Sequence, residues 1–410
     1  STRVPPSPST AVQVLDLLNT VYMPVVIYVG LVGNVLSLVT FLFTHLKSRT
    51  SSLYMGSLAI SDAGFLFVLS FAWLNERGFN VYRRGGCQVL VFLSSAFSCC
   101  SVWLTVGFTA ERFVAIRYPL WRLQLGSTRL RPKLAVLATA VCSFAFNAHL
   151  LLFVGVHEVA GGYQDCALNA EYENAMYYIT ILDTVLTLIV PFLLLTVMNF
   201  MIARSIYLFY ARYRQQRALV RRGRYAPPPH PYPLLSLLIY SSHFRCRPFH
   251  FCLLELVSSC VLLGFSDPLP SKQNGSASTL HATQGGSNDV APATQMSVTR
   301  MLLLVSTVFV LLNLPSYVLR IYVFLLYFGD AESLEAASGS LAYVLQRYSM
   351  ILYYTNFAIN FVLYNASSRM FRVTLCDYAR NRWLAFRNSI VALRTTLTHS
   401  STSRNDEVIL

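Results

Sequence analysis

CQVLVFLSSAFSCCSVWLTVGFTAERFVAIRYPL, residues 87–120, is the stretch that decides the fold. It opens on Cys87, runs without a charge to Ala110, and closes on Glu111-Arg112-Phe113 and then Pro119-Leu120. About 20 apolar residues in a helix cross roughly 30 Å of hydrocarbon. The run therefore reads as a membrane span that carries an acid and an arginine where it returns to water.

Working outward, six more windows have the same character, giving spans at 21–45, 52–74, 88–110, 133–156, 176–203, 301–328 and 341–364. They are continuous apolar runs rather than short alternating segments, which excludes a barrel and leaves helices as the way to satisfy the backbone in lipid. Composition agrees: 55% of residues are hydrophobic, 12% are charged, and the mean hydropathy is +0.50. The expected fold is an all-α membrane protein, a seven-transmembrane helix bundle with a short amphipathic helix after the seventh span. Five segments follow. Residues 1–20 are an outer N-terminus, expected to be shortened because Ser1 is not preceded by Met. Residues 21–210 hold spans one to five, and 211–299 a long, basic, partly disordered inner loop. Residues 300–365 hold spans six and seven, and 366–410 the amphipathic helix and tail.

The net charge of +14 suggests nucleic acid until its placement is read. With the N-terminus outside, 26 of the 32 Lys and Arg fall on inner segments, which is the positive-inside pattern of a multi-pass plasma-membrane protein. The expectation is contact with inner-leaflet lipid and no nucleic acid. An apolar run from Phe249 to Phe265, broken by Glu255, is not counted as a span, because crossing there would put the arginine-rich tail outside. His243, Cys246, His250, Cys252 and Cys260 fit no usual zinc spacing, so no metal site is read there.

Several residues sit where lipid makes them costly. Asp62 lies in the middle of span two, and an intramembrane carboxylate is functional by default. Gly33-Asn34 marks span one, Pro191 span five, Phe309 and Pro315 span six, and Asn360-Phe361-Val362-Leu363-Tyr364 the end of span seven. Cys87 and Cys166 both face the oxidising side, where a bridge is permitted.

Taken in this order on these spans, the set resembles the rhodopsin-like, class A, G-protein-coupled receptors over almost the whole chain outside the third inner loop. The resemblance implies a Cys87–Cys166 disulfide. It makes Glu111, Arg112 and Tyr364 part of the switch, with Leu120 meeting a heterotrimeric G protein. It also gathers Asn34, Ser101, Asn356 and Asn360 around Asp62, an oxygen-rich set suited to an allosteric sodium ion, the alternative being a protonated Asp62 held by hydrogen bonds. Three departures stand out: Asn313 replaces the usual tryptophan of span six, Phe361 replaces a proline in span seven, and span four has no tryptophan.

Ligand class follows from absences. Tyr354 stands where light-sensing members carry lysine, and Ser94 where amine receptors carry aspartate. Ser94, Ser95, Ser98, Asn313, Tyr317 and Tyr354, with Asp183 and Arg320 as fixed charges, are expected to line a wide polar pocket for a peptide. The segment 305–317 is similar to arthropod neuropeptide receptors, and within them to the CNMamide receptors. A receptor for a non-peptide ligand is the alternative. A transporter fits less well because no inverted repeat is visible. No zinc-ligand pair or nucleophile motif lies in a span, so an enzyme is not expected. Further expected partners are arrestin-type regulators at a phosphorylated Thr395–Ser403 cluster and a PDZ domain at Val408-Ile409-Leu410.

Overall fold

A computed structural model of the chain describes residues 10–79, 81–82, 85–118, 130–159, 163–221, 292–329 and 341–406. Leu120, the apolar run 249–265, its His/Cys cluster and the C-terminal tripeptide lie outside the described residues. The chain divides into two units, residues 1–216 with 301–367, and residues 217–300 with 368–410.

The first unit is the bundle. Helix α1 spans 10–42, α2 Thr50–Glu76, α3 Gly86–Arg117, and α4 Leu130–Asn147 with a last turn at Leu150–Phe153. Helix α5 covers 173–221, α6 is Pro292–Gly329 and α7 is Leu341–Ser367. Six of the seven are long and apolar enough to cross a membrane. The seventh, α7, has 27 residues, about 40 Å at 1.5 Å per residue. Its Gln346, Arg347, Asn356, Asn360 and Asn365 lower its hydropathy. The chain is a seven-helix membrane bundle, as its sequence leads one to expect.

Two helices carry a π turn, and each turn ends two residues before a proline. In α1 it is Leu18–Tyr22, before Pro24, and in α5 it is Thr184–Ile189, before Pro191. Proline has no N–H to give and its ring clashes with the carbonyl four residues back. The wider π register takes up that misfit without ending the helix.

Among the described residues, two apolar clusters join the helices along the bundle. Val26, Ile27, Phe65, Leu66 and Phe357 join α1, α2 and α7, with Phe65 stacked on Phe357 at 3.9 Å. Val102, Val106, Leu195, Met198 and Phe309 join α3, α5 and α6. Tyr28, Leu137, Phe200 and Leu311 remain exposed on the circumference, as helices facing lipid require.

Three features depart from the sequence reading. Span four, expected to 156, stops at Phe153, and an antiparallel hairpin follows: β1 Val154–Val159 and β2 Tyr163–Leu168, with Val156 opposite Cys166. The bundle is thus not wholly helical. Val154 and Val156 of β1 alternate with Gly155 and His157, a period of two that suits a strand rather than a helix. Second, the expected short amphipathic helix is α8, Arg369–Asp406, 38 residues long. No glycine or proline interrupts that run, so nothing in the sequence ends the helix early. Third, α6 begins at Pro292, eight residues before the expected boundary, and α5 runs on to Arg221, eleven residues past the expected boundary at 210.

Candidate functional site

At the end of the bundle that bears the hairpin, Cys87 and Cys166 form a disulfide with Cα atoms 5.7 Å apart. It ties the start of α3 to β2, beside a small core of Leu150 and Val154. Below it opens a cavity of about 360 Å³. Of the residues expected to bind ligand, Ser94, Ser98, Asp183, Arg320 and Tyr354 line it, as does Ser95. Asn313 and Tyr317 are not among its lining residues. Asn313 is buried and spends its amide on its own helix, donating to the Phe309 carbonyl at 2.7 Å.

Asp183 and Arg320 are the fixed charges expected in this pocket. They pair with each other: Arg320 Nη2 donates to Asp183 Oδ2 at 2.6 Å, linking α5 to α6. Side-chain exposures of 47% and 23% keep the pair in reach of solvent. Both are lining residues, so the cavity holds charge without a net excess from them. Ser94 also turns inward on its helix, donating to the Val91 carbonyl at 2.9 Å, while Ser98 bonds across to the Tyr353 hydroxyl.

Deeper in the bundle, Asp62 is wholly buried. One carboxylate oxygen accepts from Ser101 Oγ at 2.6 Å and the other from Asn360 Nδ2 at 2.7 Å. Asn34 donates to the Phe357 carbonyl at 2.9 Å, and its own Oδ1 is buried with no hydrogen-bond partner among the described residues. Asn356 is buried on the same face of α7 as Asn360, four residues away, although Asp62 takes no hydrogen bond from it. A carboxylate, a hydroxyl and amide oxygens are hard donors, and each Asp62 oxygen keeps a further lone pair. The set fits a small hard cation.

At the opposite end, Arg112 is buried near the close of α3, and Glu111 precedes it. Tyr364 is buried and packs edge-on against Phe41, ring centroids 5.2 Å apart.

This layout carries a disulfide-braced mouth, a polar cavity, a buried carboxylate and a buried arginine in line along one bundle. The profile of the family described as 7 transmembrane receptor (rhodopsin family) matches residues 33–364. The chain belongs to that family. Similar curated proteins include the FMRFamide peptide receptor frpr-18 of Caenorhabditis elegans, 26% identical over 43% of this chain and 43% of the relative. Growth hormone secretagogue receptor type 1 of Sus scrofa is 25% identical over 85% of this chain and 76% of the relative. The thyrotropin-releasing hormone receptor of Gallus gallus is 26% identical over 44% and 46%. The chain spans under half the length of the first relatives it matches.

This rhodopsin-family receptor is therefore a multi-pass membrane protein, and not an enzyme. Phe361, which departs from the family pattern, lies against Gly33, where a Cβ would come within 2.8 Å of the Phe361 Cβ, so glycine at 33 permits the close approach of α1 and α7. Sequence reading missed Tyr353, Asn147 and His149 as lining residues. A signal for Tyr353 was present: it stands seven residues, about two turns, before Asn360, so both share one face of α7. Asn147 and His149 carried no such cue.

Proposed function

We propose that this receptor answers an extracellular neuropeptide and passes the signal to a heterotrimeric G protein. The observation that carries the reading is the polar cavity of about 360 Å³ under the disulfide, in the range of ligand pockets and lined by hydroxyls and a matched ion pair. Peptide groups both donate and accept hydrogen bonds, so a wall of Ser94, Ser98, Tyr353 and Tyr354 suits them. A whole peptide is larger than the cavity, so one end or turn enters while the remainder rests on the hairpin. Relatives named for FMRFamide peptide and for thyrotropin-releasing hormone support the same class. Similarity of segment 305–317 to CNMamide receptors makes that peptide a first candidate.

The charge distribution supports an outer N-terminus and a plasma-membrane location. Glu111, Arg112 and Tyr364 then serve as the inner switch, with Leu120 at the G-protein contact. Sodium held by Asp62, Ser101, Asn360, Asn34 and Asn356 would favour the resting state. Arrestin-type regulators at the phosphorylated tail, a PDZ domain at the C-terminus and inner-leaflet lipid along α8 complete the proposed partners. The test is a panel of synthetic neuropeptides applied to cells expressing the receptor, read by calcium and cAMP. Peptide responses that vanish in Ser98→Leu, a substitution that fills the cavity, are expected. Activation by small amines or lipids alone would overturn the peptide assignment.

A further inference from the structure

His149 stands where α4 breaks, in the turn between Asn147 and the last piece, Leu150–Phe153. A helix end leaves carbonyls without N–H partners. The imidazole fills one such gap, with its Nδ1 2.9 Å from the Phe146 carbonyl. A carbonyl oxygen only accepts, so Nδ1 must carry the proton. Phe146 and Phe153 flank the ring edge-on, with centroids 6.3 and 5.5 Å away. Phe153 is itself stacked on Tyr172, at the head of α5, at 4.5 Å. The ring is thus held by packing, with Nδ1 turned to its own helix.

His149 also lines the cavity. With Cγ and Nδ1 turned to the helix, the edge left for the cavity is the one that carries Nε2, which bonds to nothing among the described residues. Asp183 is the one acid among the described lining residues, and it is spent on Arg320. No free carboxylate on the wall stabilises an imidazolium. In the neutral ring with a proton on Nδ1, Nε2 is an acceptor.

Two hydroxyls of the lining lean the same way. Ser94 and Thr187 give their protons to their own helices, to the carbonyls of Val91 at 2.9 Å and Asp183 at 2.8 Å. What each keeps for a ligand is oxygen lone pairs. These groups accept hydrogen bonds and need donors opposite them.

We propose, on the basis of the peptide-receptor reading, that His149 is a ligand-recognition residue whose Nε2 accepts a hydrogen bond from an uncharged amide N–H of the peptide. A cationic end would have to compete with Arg320 for Asp183, whereas an amide N–H brings no charge to bury. A carboxylate, which only accepts, has no match at Nε2.

The test uses the full-length receptor and the most potent peptide of the synthetic neuropeptide panel, with affinity read by radioligand binding. His149→Asn keeps a donor in the place of Nδ1 and loses the acceptor of Nε2. His149→Gln can set a carbonyl oxygen near the place of Nε2 but gives up the bond to Phe146. Affinity should fall about tenfold or more in His149→Asn and stay within about threefold of the parent in His149→Gln. A ring that only caps and packs would give the reverse order, and that order overturns the proposal. Methylating each peptide N–H in turn should find one position that costs about tenfold in the parent and nothing further in His149→Asn. Losses that simply add overturn it. Without any ligand, nitrogen-edited NMR of the receptor labelled at its histidine nitrogens should show His149, assigned by its loss in His149→Asn, protonated at Nδ1 alone. A proton on Nε2 overturns the proposal even where a variant fails to fold. A panel without an active peptide defeats the peptide reading and this one together, whereas equal binding by the parent and His149→Asn defeats this one alone.

Discussion

Arg320 of α6 and Asp183 of α5 face each other across 2.6 Å at the edge of the cavity. The contact links the two helices at the ligand end. Neither charge is free to attract a ligand without first leaving its partner. Any charged ligand end that binds here must displace one side of the pair.

The pair predicts a double-mutant result. Arg320 is half exposed, which limits the coupling to about 0.5–1 kcal/mol. Asp183→Asn and Arg320→Gln should each lower the melting temperature of the purified receptor, and the double variant should cost less than their sum. Strict additivity would mean that the pair does not hold the helices.

The disulfide makes a second prediction. Non-reducing mass spectrometry should recover Cys87 and Cys166 as one crosslinked peptide pair. Cys87→Ala and Cys166→Ala should each destabilise by about 2–4 kcal/mol, and the double variant no further. Recovery of two free thiols from folded receptor would refute the bond.

How much of this was readable beforehand divides along physical lines. Spans are legible because lipid imposes one rule on every residue of a 30 Å helix. Asp62 was legible for the same reason, since a buried acid stands out against that rule. The Asp183–Arg320 pairing was not, because it depends on where α5 and α6 approach, 137 residues apart in sequence. Asn313 looked like a pocket residue by its position, yet a buried amide with a carbonyl four residues back on its own helix is satisfied there. The hairpin escaped because an apolar run of valines beside a span reads as more span, and only its period of two separates them.

A third prediction concerns the close approach of α1 to its neighbours. A Cβ on Gly30 would fall 2.5 Å from Leu66 Cδ1 and 2.7 Å from Ala358 Cβ, and one on Gly33 2.8 Å from Phe361 Cβ. Gly33→Ala should therefore cost about 1–3 kcal/mol by overpacking. Phe361→Gly in that background should recover part of the loss, because it removes the Cβ that makes the closest contact. A Gly33→Ala receptor as heat-stable as the parent would mean that α1 can shift away freely.

The last prediction concerns sodium. Asp62 is bonded through both oxygens, to Ser101 at 2.6 Å and Asn360 at 2.7 Å, with no basic side chain among its hydrogen-bond partners. A carboxylate at that depth is neutralised by a proton or by a cation. Ser101 and Asn360 donate to it, and a carboxylate left charged so deep calls for a counter-ion. The orphaned Oδ1 of Asn34 adds a neutral oxygen of the kind sodium takes. If the ion favours the resting arrangement of the bundle, sodium and agonist should oppose each other. By linkage, the weakening of agonist affinity by sodium equals the weakening of sodium affinity by agonist, and coupling of about 5-fold or more is typical. Asp62→Asn keeps the size and hydrogen-bonding capacity of the side chain but not its charge. That receptor should reach the cell surface and lose its sodium response, while Asn34→Ala should weaken the response without abolishing it. The measurement is agonist affinity in membranes with sodium exchanged for a bulky organic cation at equal ionic strength. An unmutated receptor that does not respond to the exchange would leave Asp62 protonated and the cation reading wrong.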